Sequence, residues 1–177
     1  APFEDVSKAG ASEITARWLS YGFFEEELKV CLTGTIPQRR GVADVAAHFL
    51  KDTEYSVKCQ ELLRPLLNDP EKEVRNELHA ICHDVDINEQ TKPFLIEYIK
   101  SQSFREGAGY FVHWLKEKEG SIIFLADIIL SLHEAFSLSF KKESENPGTY
   151  VSYTISESFS LLLRLYDQAT QERNADI

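Results

Sequence analysis

The sequence predicts an all-α fold built from stacked helical hairpins. Apolar residues recur at i, i+3, i+4 and i+7 along most of the 177 residues, which is the spacing of one face of an amphipathic helix. The chain contains only 8 Gly and 6 Pro, so turn signals are few and the predicted loops are short. Helices joined by short loops pack as antiparallel neighbours. We therefore expect helical hairpins in a chain of one-domain length.

Nine helices are predicted between the turn signals. Asp69 is the expected N-cap of the fifth helix, with Pro70 at its first helical position. The polar stretch 139–149 is predicted to be an exposed loop. Residues 150–155 alternate like a strand, but a single strand has no partner, so they are assigned to the start of the last helix. The predicted helices are 9–21, 24–33, 37–51, 55–68, 71–84, 88–101, 104–118, 121–138 and 151–170.

The charge balance bears on the class of partner. The chain has 19 Lys and Arg against 29 Asp and Glu, which gives a net charge of −10. Binding to a nucleic-acid backbone needs a basic patch, and the pairs Arg39-Arg40 and Lys141-Lys142 are too small to supply one. Nucleic acid is therefore not an expected partner. A protein partner with basic character is expected instead, because opposite charges steer association.

Cysteine and apolar patterns predict a cytoplasmic chain. Cys31, Cys59 and Cys82 form no close-spaced pair, which is typical of buried thiols in a reducing compartment. The longest apolar run, 122–132, is broken by Asp127 and is too short to span a bilayer, and no secretory leader is recognisable. Met is absent even at position 1, so we expect the chain to be a fragment of a larger protein.

An internal period of 35 residues separates Arg40 from Arg75. Apolar residues stand three and six positions after each of these arginines, and a weaker third copy follows Arg105. In such arrays each two-helix unit buries its apolar face against the next, and an Asp and an Arg at the turn between the helices can join neighbouring units. The period thus predicts a repeat array.

The run 62–75 (Leu-Leu-Arg-Pro-Leu-Leu-Asn-Asp-Pro-Glu-Lys-Glu-Val-Arg) resembles the turn of a HEAT repeat. That family places an Asp at the end of the first helix and a Val-Arg pair near the start of the second. The resemblance implies a right-handed α-solenoid of about four HEAT-like hairpins, forming a single domain over 1–177 with its repeats clearest at 24–118. The repeat-signature residues that it implies are Arg39, Arg40, Asp69, Val74 and Arg75.

A broader similarity extends from Arg39 to the ending Leu162-Leu163-Arg164-Leu165-Tyr166-Asp167-Gln168. It resembles the HEAT-like C-terminal region of large bacterial NACHT or STAND-type ATPases. The resemblance implies a sensor array that is coupled to an upstream P-loop ATPase and shifts it between resting and active states. No G-x-x-x-x-G-K-[ST] motif stands in this chain, so the ATPase chemistry is expected outside it.

The strongest candidate for chemistry is the run 79–84, His-Ala-Ile-Cys-His-Asp. Its two His residues stand at i and i+4, but a metalloprotease helix needs Glu directly after the first His, where Ala80 stands. Cys82 lies one step from His83, about 100° around the helix, so the ligands do not converge. The isolated His residues, the S-x-x-K match at Ser139 and the acidic run 25–27 form no catalytic set. No catalytic residue, metal or cofactor is predicted.

Two clusters of aromatic residues stand in the sequence. The first is Trp18, Tyr21, Phe23 and Phe24, and the second is Phe104, Tyr110, Phe111 and Trp114. Each has two open interpretations: core packing, or anchors for a partner on the solenoid surface.

The sequence therefore predicts a non-catalytic protein-interaction or sensor module whose partner-binding residues are unknown. One alternative is a HEAT-like DNA glycosylase, which requires a basic groove with an Asp near a Trp. Another is a purely structural spacer, which is predicted to show no concave hydrophobic or charged patch at all.

Overall fold

The computed structural model describes residues 2–81, 85–104, 127–128, 130–135, 160, 163–164, 166–167 and 170–171. None of these residues lies in a β-strand, and the prediction of an all-α fold is confirmed. The helices are α1 Pro2–Tyr21, α2 Glu25–Thr33, α3 Ile36–Phe49, α4 Ser56–Leu63, α5 Lys72–Glu77 and α6 Lys92–Lys100. Short 3-10 turns, Arg64–Leu66 and Leu78–Ala80, follow α4 and α5.

The chain forms two compact units. The first comprises Ala1–Asp86 and Ser101–Gly107, and the second comprises Ile87–Lys100 and Ala108–Ile177. Helices α1 to α5 belong to the first unit and α6 to the second. The expectation of a single domain over 1–177 stays a prediction.

Helix ends differ from the predicted ones where local side chains intervene. α1 begins at Pro2 instead of residue 9, with Pro at the helix start and Glu4 and Asp5 in the first turn, where they suit the positive end of the helix dipole. α6 begins at Lys92 instead of residue 88. Before it, the Asn88 Oδ1 atom accepts hydrogen bonds from the backbone N–H groups of Gln90 and Thr91, at 2.9 and 3.1 Å. These bonds hold Asn88 in a turn ahead of the helix.

The predicted N-cap role of Asp69 is wrong. α5 begins at Lys72, and its N-cap position is Glu71. The Asp69 carboxylate instead accepts the backbone N–H of Glu71 at 2.9 Å, which forms a turn ahead of the helix. An Asp-Pro pair is a good helix-start signal, but here the carboxylate is also held by Arg39 from an earlier helix. A tertiary contact has taken over a side chain that local sequence assigns to a cap.

α3 is the central helix of the first unit. It packs against α1, α2, α4 and α5, and its contact with α1 is the most extensive. Its buried face is made of small residues: Gly41, Val42, Ala43, Ala46 and Ala47. Small side chains let several helices approach one axis closely, so the composition of α3 explains its position.

Gly41 sets the distance between α1 and α3. A Cβ atom at this position would overlap the backbone carbonyl of Lys8 and would stand 2.9 Å from the Cβ of Ala11. The Ser12 hydroxyl also donates a hydrogen bond to the Gly41 carbonyl at 3.3 Å. The two helices therefore meet backbone to backbone, at a spacing that a larger residue would not permit.

Polar contacts in both units recur at a sequence separation close to the predicted period. In the first unit, Arg40 and Glu77 are 37 residues apart, and the backbone N–H of Gln102 donates to the Asn68 side chain from 34 residues away. In the second unit, Lys92 pairs with Asp127 at a separation of 35. These separations are close to the 35 residues between Arg40 and Arg75 in the sequence.

In the second unit, α6 has a buried apolar face made of Phe94, Leu95, Tyr98 and Ile99. The described residues of 127–128 and 130–135 are mainly helical, and Ile128 and Leu132 are fully buried. The ion pairs Lys92–Asp127 and Lys100–Glu134 show that this segment runs beside α6 in the same direction.

Several predicted elements fall outside the described residues: the loop 139–149, the segment 150–155 and most of the helix 104–118. Scattered described residues between 160 and 171 are helical, in agreement with the last predicted helix. In the part of the chain that the structure describes, no helix combines the length and apolarity needed to cross a membrane.

Candidate functional site

Arg39, near the start of α3, and Asp69, in the turn before α5, form a bidentate ion pair. The Arg39 Nε atom lies 2.7 Å from Oδ2 of Asp69, and its Nη2 atom lies 3.1 Å from Oδ1. The third nitrogen of the guanidinium donates to the carbonyl of Gly34 at 2.6 Å. The hydrogen bond to Asp69 raises the pKa of Arg39 above its ordinary value, with burial acting against it. Both side chains are largely withdrawn from water, so this pair holds the turn before α5 firmly against α3.

Arg75 holds the same turn from the other side. Its Nη1 atom donates to the backbone carbonyls of Asp69 and Pro70, at 2.6 and 2.9 Å, and the residue is only 5% exposed. Asp69 therefore meets Arg39 through its carboxylate and Arg75 through its carbonyl. Val74 beside them is fully buried in the core. This arrangement fixes the backbone of the turn and contains no group that is free to react with a substrate.

Arg40 lies apart from this group and pairs with Glu77. The Nε and Nη2 atoms of Arg40 lie 2.8 and 2.7 Å from Oε1 of Glu77, which also accepts from Lys8 at 2.9 Å. Lys8 also approaches Asp44 at 3.2 Å. Burial acts to lower the pKa of Lys8, but its hydrogen bonds to Glu77 and Asp44 outweigh this effect and raise the pKa. The sequence did not indicate this cluster, because Lys8 and Glu77 are 69 residues apart.

Of the histidine run and the three cysteines, the structure describes the surroundings of His79, Cys31 and Cys59. His79 lies in the 3-10 turn after α5, while Cys82, His83 and Asp84 lie outside the described residues. Within the described ranges, no three His, Cys, Asp or Glu side chains are grouped to hold a metal ion. Cys31 and Cys59 are buried, free thiols. Burial raises the pKa of Cys31, and it raises that of Cys59 to about 12, so both thiols are protonated at neutral pH and poorly nucleophilic.

Three aromatic side chains project into solvent where α1 ends and α2 begins. Tyr21, Phe23 and Phe24 are 72%, 62% and 42% exposed, and we name them the aromatic corner. The Tyr21 and Phe23 rings stack with centroids 6.0 Å apart, and Phe24 meets Phe23 edge-on at 6.5 Å. Grouped exposed rings of this size are uncommon on a surface with no binding role.

The backbone conformation forces these rings outward. Gly22 has φ 72° and Phe24 has φ 67°, so both lie in the left-handed region. The Gly22 N–H closes α1 by donating to the Trp18 carbonyl at 2.9 Å, which is a common role of glycine at a helix end. Phe24, unlike a glycine, has a side chain, and a bulky residue in the left-handed region is strained by about 1–2 kcal/mol. The chain thus turns sharply within three residues and leaves their side chains unburied.

The structure decides between the two interpretations of the aromatics residue by residue. Trp18 is half-buried, and the Lys58 ammonium lies over its ring at 5.3 Å from the centroid, so this ring packs within the fold. Phe104 is also a core residue, with 1% exposure. The remaining members of the second cluster, Tyr110, Phe111 and Trp114, lie outside the described residues. Only the aromatic corner is available to a partner among the aromatics of the two clusters that the structure describes.

The first turn of α2 places an acidic rim beside the aromatic corner. This rim consists of Glu25, Glu26 and Glu27, all of which are exposed. Lys29 bridges the first two at 3.0 and 2.8 Å, and its hydrogen bonds to Glu26 and then Glu25 raise its pKa. No cation among the described residues lies within ion-pair distance of Glu27. The rim therefore keeps a net negative charge next to exposed rings.

Sequence reasoning identified the residues of the corner and of the rim but not their joint role. It assigned the carboxylates to the helix dipole, which their position in the first turn of α2 satisfies. The missed signal is Gly22 directly before two Phe residues, because a glycine that ends one helix close to the start of another leaves a tight corner. Comparison of the chain with protein-family models, with curated proteins and with solved structures found no match.

Proposed function

We propose that this chain is a non-catalytic protein-interaction or sensor module. The observation that carries the proposal is the aromatic corner, where three neighbouring rings are exposed on a backbone that holds them outward. Burying such rings against a partner releases the free energy of removing apolar surface from water, about 25 cal/mol per Å². Aromatic residues are also the side chains that most often dominate protein–protein affinity.

The proposed scaffold is a right-handed solenoid of about four HEAT-like hairpins. Support comes from the polar contacts at separations of 34 to 37 residues, which follow the internal period of the sequence. The Arg39–Asp69 pair adds a second kind of support, since it joins α3 to the turn before α5 through an Arg and an Asp, the two residue types that the resemblance implies at such a contact. In this scaffold the signature residues hold the array together, and exposed residues bind the partner.

We further propose that the module is the C-terminal, cytoplasmic part of a larger bacterial signalling ATPase. The support is the resemblance of the segment from Arg39 to Gln168, and the test is to sequence the source locus around the coding segment. A P-loop motif upstream in the same reading frame is the expected result. A start codon directly before residue 1 contradicts this part of the proposal and leaves a free-standing adaptor.

The two alternative functions receive less support. A glycosylase of HEAT-like fold needs a basic groove with an Asp close to a Trp, whereas Trp18 carries the Lys58 ammonium over its ring and the nearby rim is acidic. A structural spacer is expected to have no exposed binding patch, whereas the aromatic corner is an exposed apolar patch.

The proposed function is tested by affinity capture of proteins from the source cells, with quantitative mass spectrometry. The wild-type chain is compared with a Tyr21→Ser/Phe23→Ser variant and with the control Phe3→Ser, which removes another ring that is 86% exposed. We expect a small set of proteins that wild type and control retain and the corner variant loses. Capture of nothing above background contradicts the proposed function.

A further inference from the structure

The aromatic corner and the acidic rim lie next to each other, and together they define the chemistry of a partner. We propose that this surface binds an arginine-bearing, amphipathic segment of a partner protein. The inference rests on the proposed function and deepens it by naming what the partner must present. It is carried by the exposed rings, by the charge of Glu27, which no cation among the described residues pairs with, and by the exposed apolar residue that follows on α2.

The rings select a planar cation. Tyr21 and Phe23 are stacked at 6.0 Å and expose most of their surface, so a further flat group can be placed on the free face of either ring. An arginine guanidinium is planar, is weakly hydrated and stacks on aromatic faces, whereas a lysine ammonium is a compact and strongly hydrated charge. A cation–π contact among the described residues is made by a lysine, Lys58 over Trp18, and it leaves the rings of the aromatic corner free.

Glu27 supplies the second contact. It lies in the first turn of α2, four residues along the chain from Phe23, and no described cation compensates it. A carboxylate binds guanidinium through two parallel hydrogen bonds, so one arginine can meet a ring and a carboxylate together. Glu25 and Glu26 share Lys29, which leaves one further net negative charge to attract the partner.

Val30 is the reason that the partner segment is expected to be amphipathic. It follows Glu27 by three residues on the same face of α2 and is 62% exposed. A partner that places arginine over Glu27 therefore meets an apolar side chain about one helical turn further on. A segment with arginine and leucine side by side fits both contacts, whereas a purely polar basic tail fits only the first.

The sign of the charge disfavours the other binding partners. Membranes rich in anionic lipids and nucleic-acid backbones carry negative charge and are repelled by the rim. A second copy of this chain also carries a net charge of −10, so self-association through this surface is opposed by repulsion. A basic protein segment satisfies both the rings and the carboxylates.

The test measures binding of three fluorescein-labelled helical peptides to the whole chain by fluorescence anisotropy. The first peptide has leucines on one face with flanking arginines, the second has glutamates in place of the arginines, and the third has serines in place of the leucines. We expect the first peptide to bind at least about tenfold more tightly than either of the others, which corresponds to the loss of one well-placed contact.

Matched variants locate the binding surface. Phe23→Ala is expected to weaken binding of the first peptide about tenfold, while Phe3→Ala, at the far end of α1 about 27 Å from the corner, leaves it unchanged. Glu27→Lys is expected to weaken binding by a similar factor. Its control is Glu73→Lys, because Glu73 also lies in the first turn of a helix and its loss costs the same dipole interaction.

Equal affinity for the arginine and glutamate peptides, or unchanged affinity in both Phe23→Ala and Glu27→Lys, overturns the inference. Absence of binding by all three peptides also overturns it. Failure of the inference is separable from failure of the proposed function. If no peptide binds as expected while proteins are still captured from cells, the module binds a partner of different chemistry. If no protein is captured above background, the proposed function itself is contradicted.

Discussion

At the scale of single residues, Asp69 stabilises the fold in three ways at once. Its carboxylate binds Arg39 and the N–H of Glu71, and its carbonyl binds Arg75. Only 4% of its side chain is exposed, so water cannot replace a missing partner. Removing one member of a buried pair leaves the other charge uncompensated, which costs more than the intact pair contributes.

Asp69→Asn is expected to lower the free energy of unfolding by about 3 kcal/mol, because the Arg39 guanidinium loses its counter-charge in a mostly buried site. Urea denaturation followed by circular dichroism measures the change. Glu73→Gln, an exposed substitution in α5, serves as the control and should change the stability by no more than about 0.5 kcal/mol. Equal stability of the two variants would show that the Arg39–Asp69 pair contributes little.

Cys59 gives the chain a defined response to alkaline pH. Burial, and to a lesser degree the charge of Asp52, raises its pKa to about 12, whereas a thiol of an unfolded chain ionises near pH 8.5. Between these values the unfolded chain binds fewer protons than the folded one. The Cys59 contribution to stability is therefore complete below about pH 8.5 and declines as the pH rises towards 12, by up to about 1.4 kcal/mol per unit.

The measurement compares wild type with Cys59→Ala by urea denaturation at several pH values from 7.5 to about 10.5, a range set by the two pKa values. The variant starts less stable because it leaves a cavity, but its stability should fall less steeply with pH. Parallel curves for the two proteins would contradict the buried, protonated thiol.

At the scale of elements, two glycines in helices have opposite surroundings. Gly41 on α3 touches the backbone of α1, whereas Gly10 on α1 has nothing within 4 Å of where a Cβ would stand. Helix propensity favours alanine over glycine equally at both positions, by about 1 kcal/mol. Any difference between the two substitutions therefore reports on packing alone.

Gly41→Ala is expected to destabilise the protein by about 2 kcal/mol, because the added methyl group forces α1 away from α3 along their most extensive contact. Gly10→Ala is expected to stabilise it by up to about 1 kcal/mol. Thermal denaturation of both variants provides the measurement. Stabilisation by both substitutions would mean that α1 and α3 do not meet at Gly41.

At the scale of the whole molecule, acidity and exposed rings act against each other. A net charge of −10 keeps copies apart at neutral pH, while Phe3, Tyr21 and Phe23 offer apolar surface to any neighbour. The balance changes near the pI of about 5.0, where the net charge vanishes.

We expect light scattering to show association near pH 5 and none at pH 7.5, since repulsion is lost at the pI. The Tyr21→Ser/Phe23→Ser variant keeps the same charge but lacks two rings of the corner, so it should associate less at pH 5. Identical scattering by variant and wild type would place the contact surface elsewhere.

The helical architecture followed from local patterns, whereas the repeat array stays a prediction. The 3.6-residue periodicity located α2 and α3 to within about two residues. Arg40 and Arg75 indicated a 35-residue period that polar contacts between distant residues then repeated. The sequence predicted a set of repeat-signature residues but not their partners. Arg39 reaches Asp69 and Arg40 reaches Glu77, a division that depends on how consecutive side chains on α3 point.

The sequence by itself determined the helical class, the acidic surface and the amphipathic faces, because each depends on residue types and on spacings within a few turns. Only the tertiary structure decided that Gly41 is a contact point, that Trp18 is half-buried under a lysine and that Phe23 is exposed. The physical reason is that exposure depends on which other helix covers a residue. Trp18 and Phe23 are both aromatic residues near the end of α1, so the sequence does not distinguish them. A lysine from α4 lies over Trp18, whereas the left-handed turn at Gly22 and Phe24 carries Phe23 into solvent.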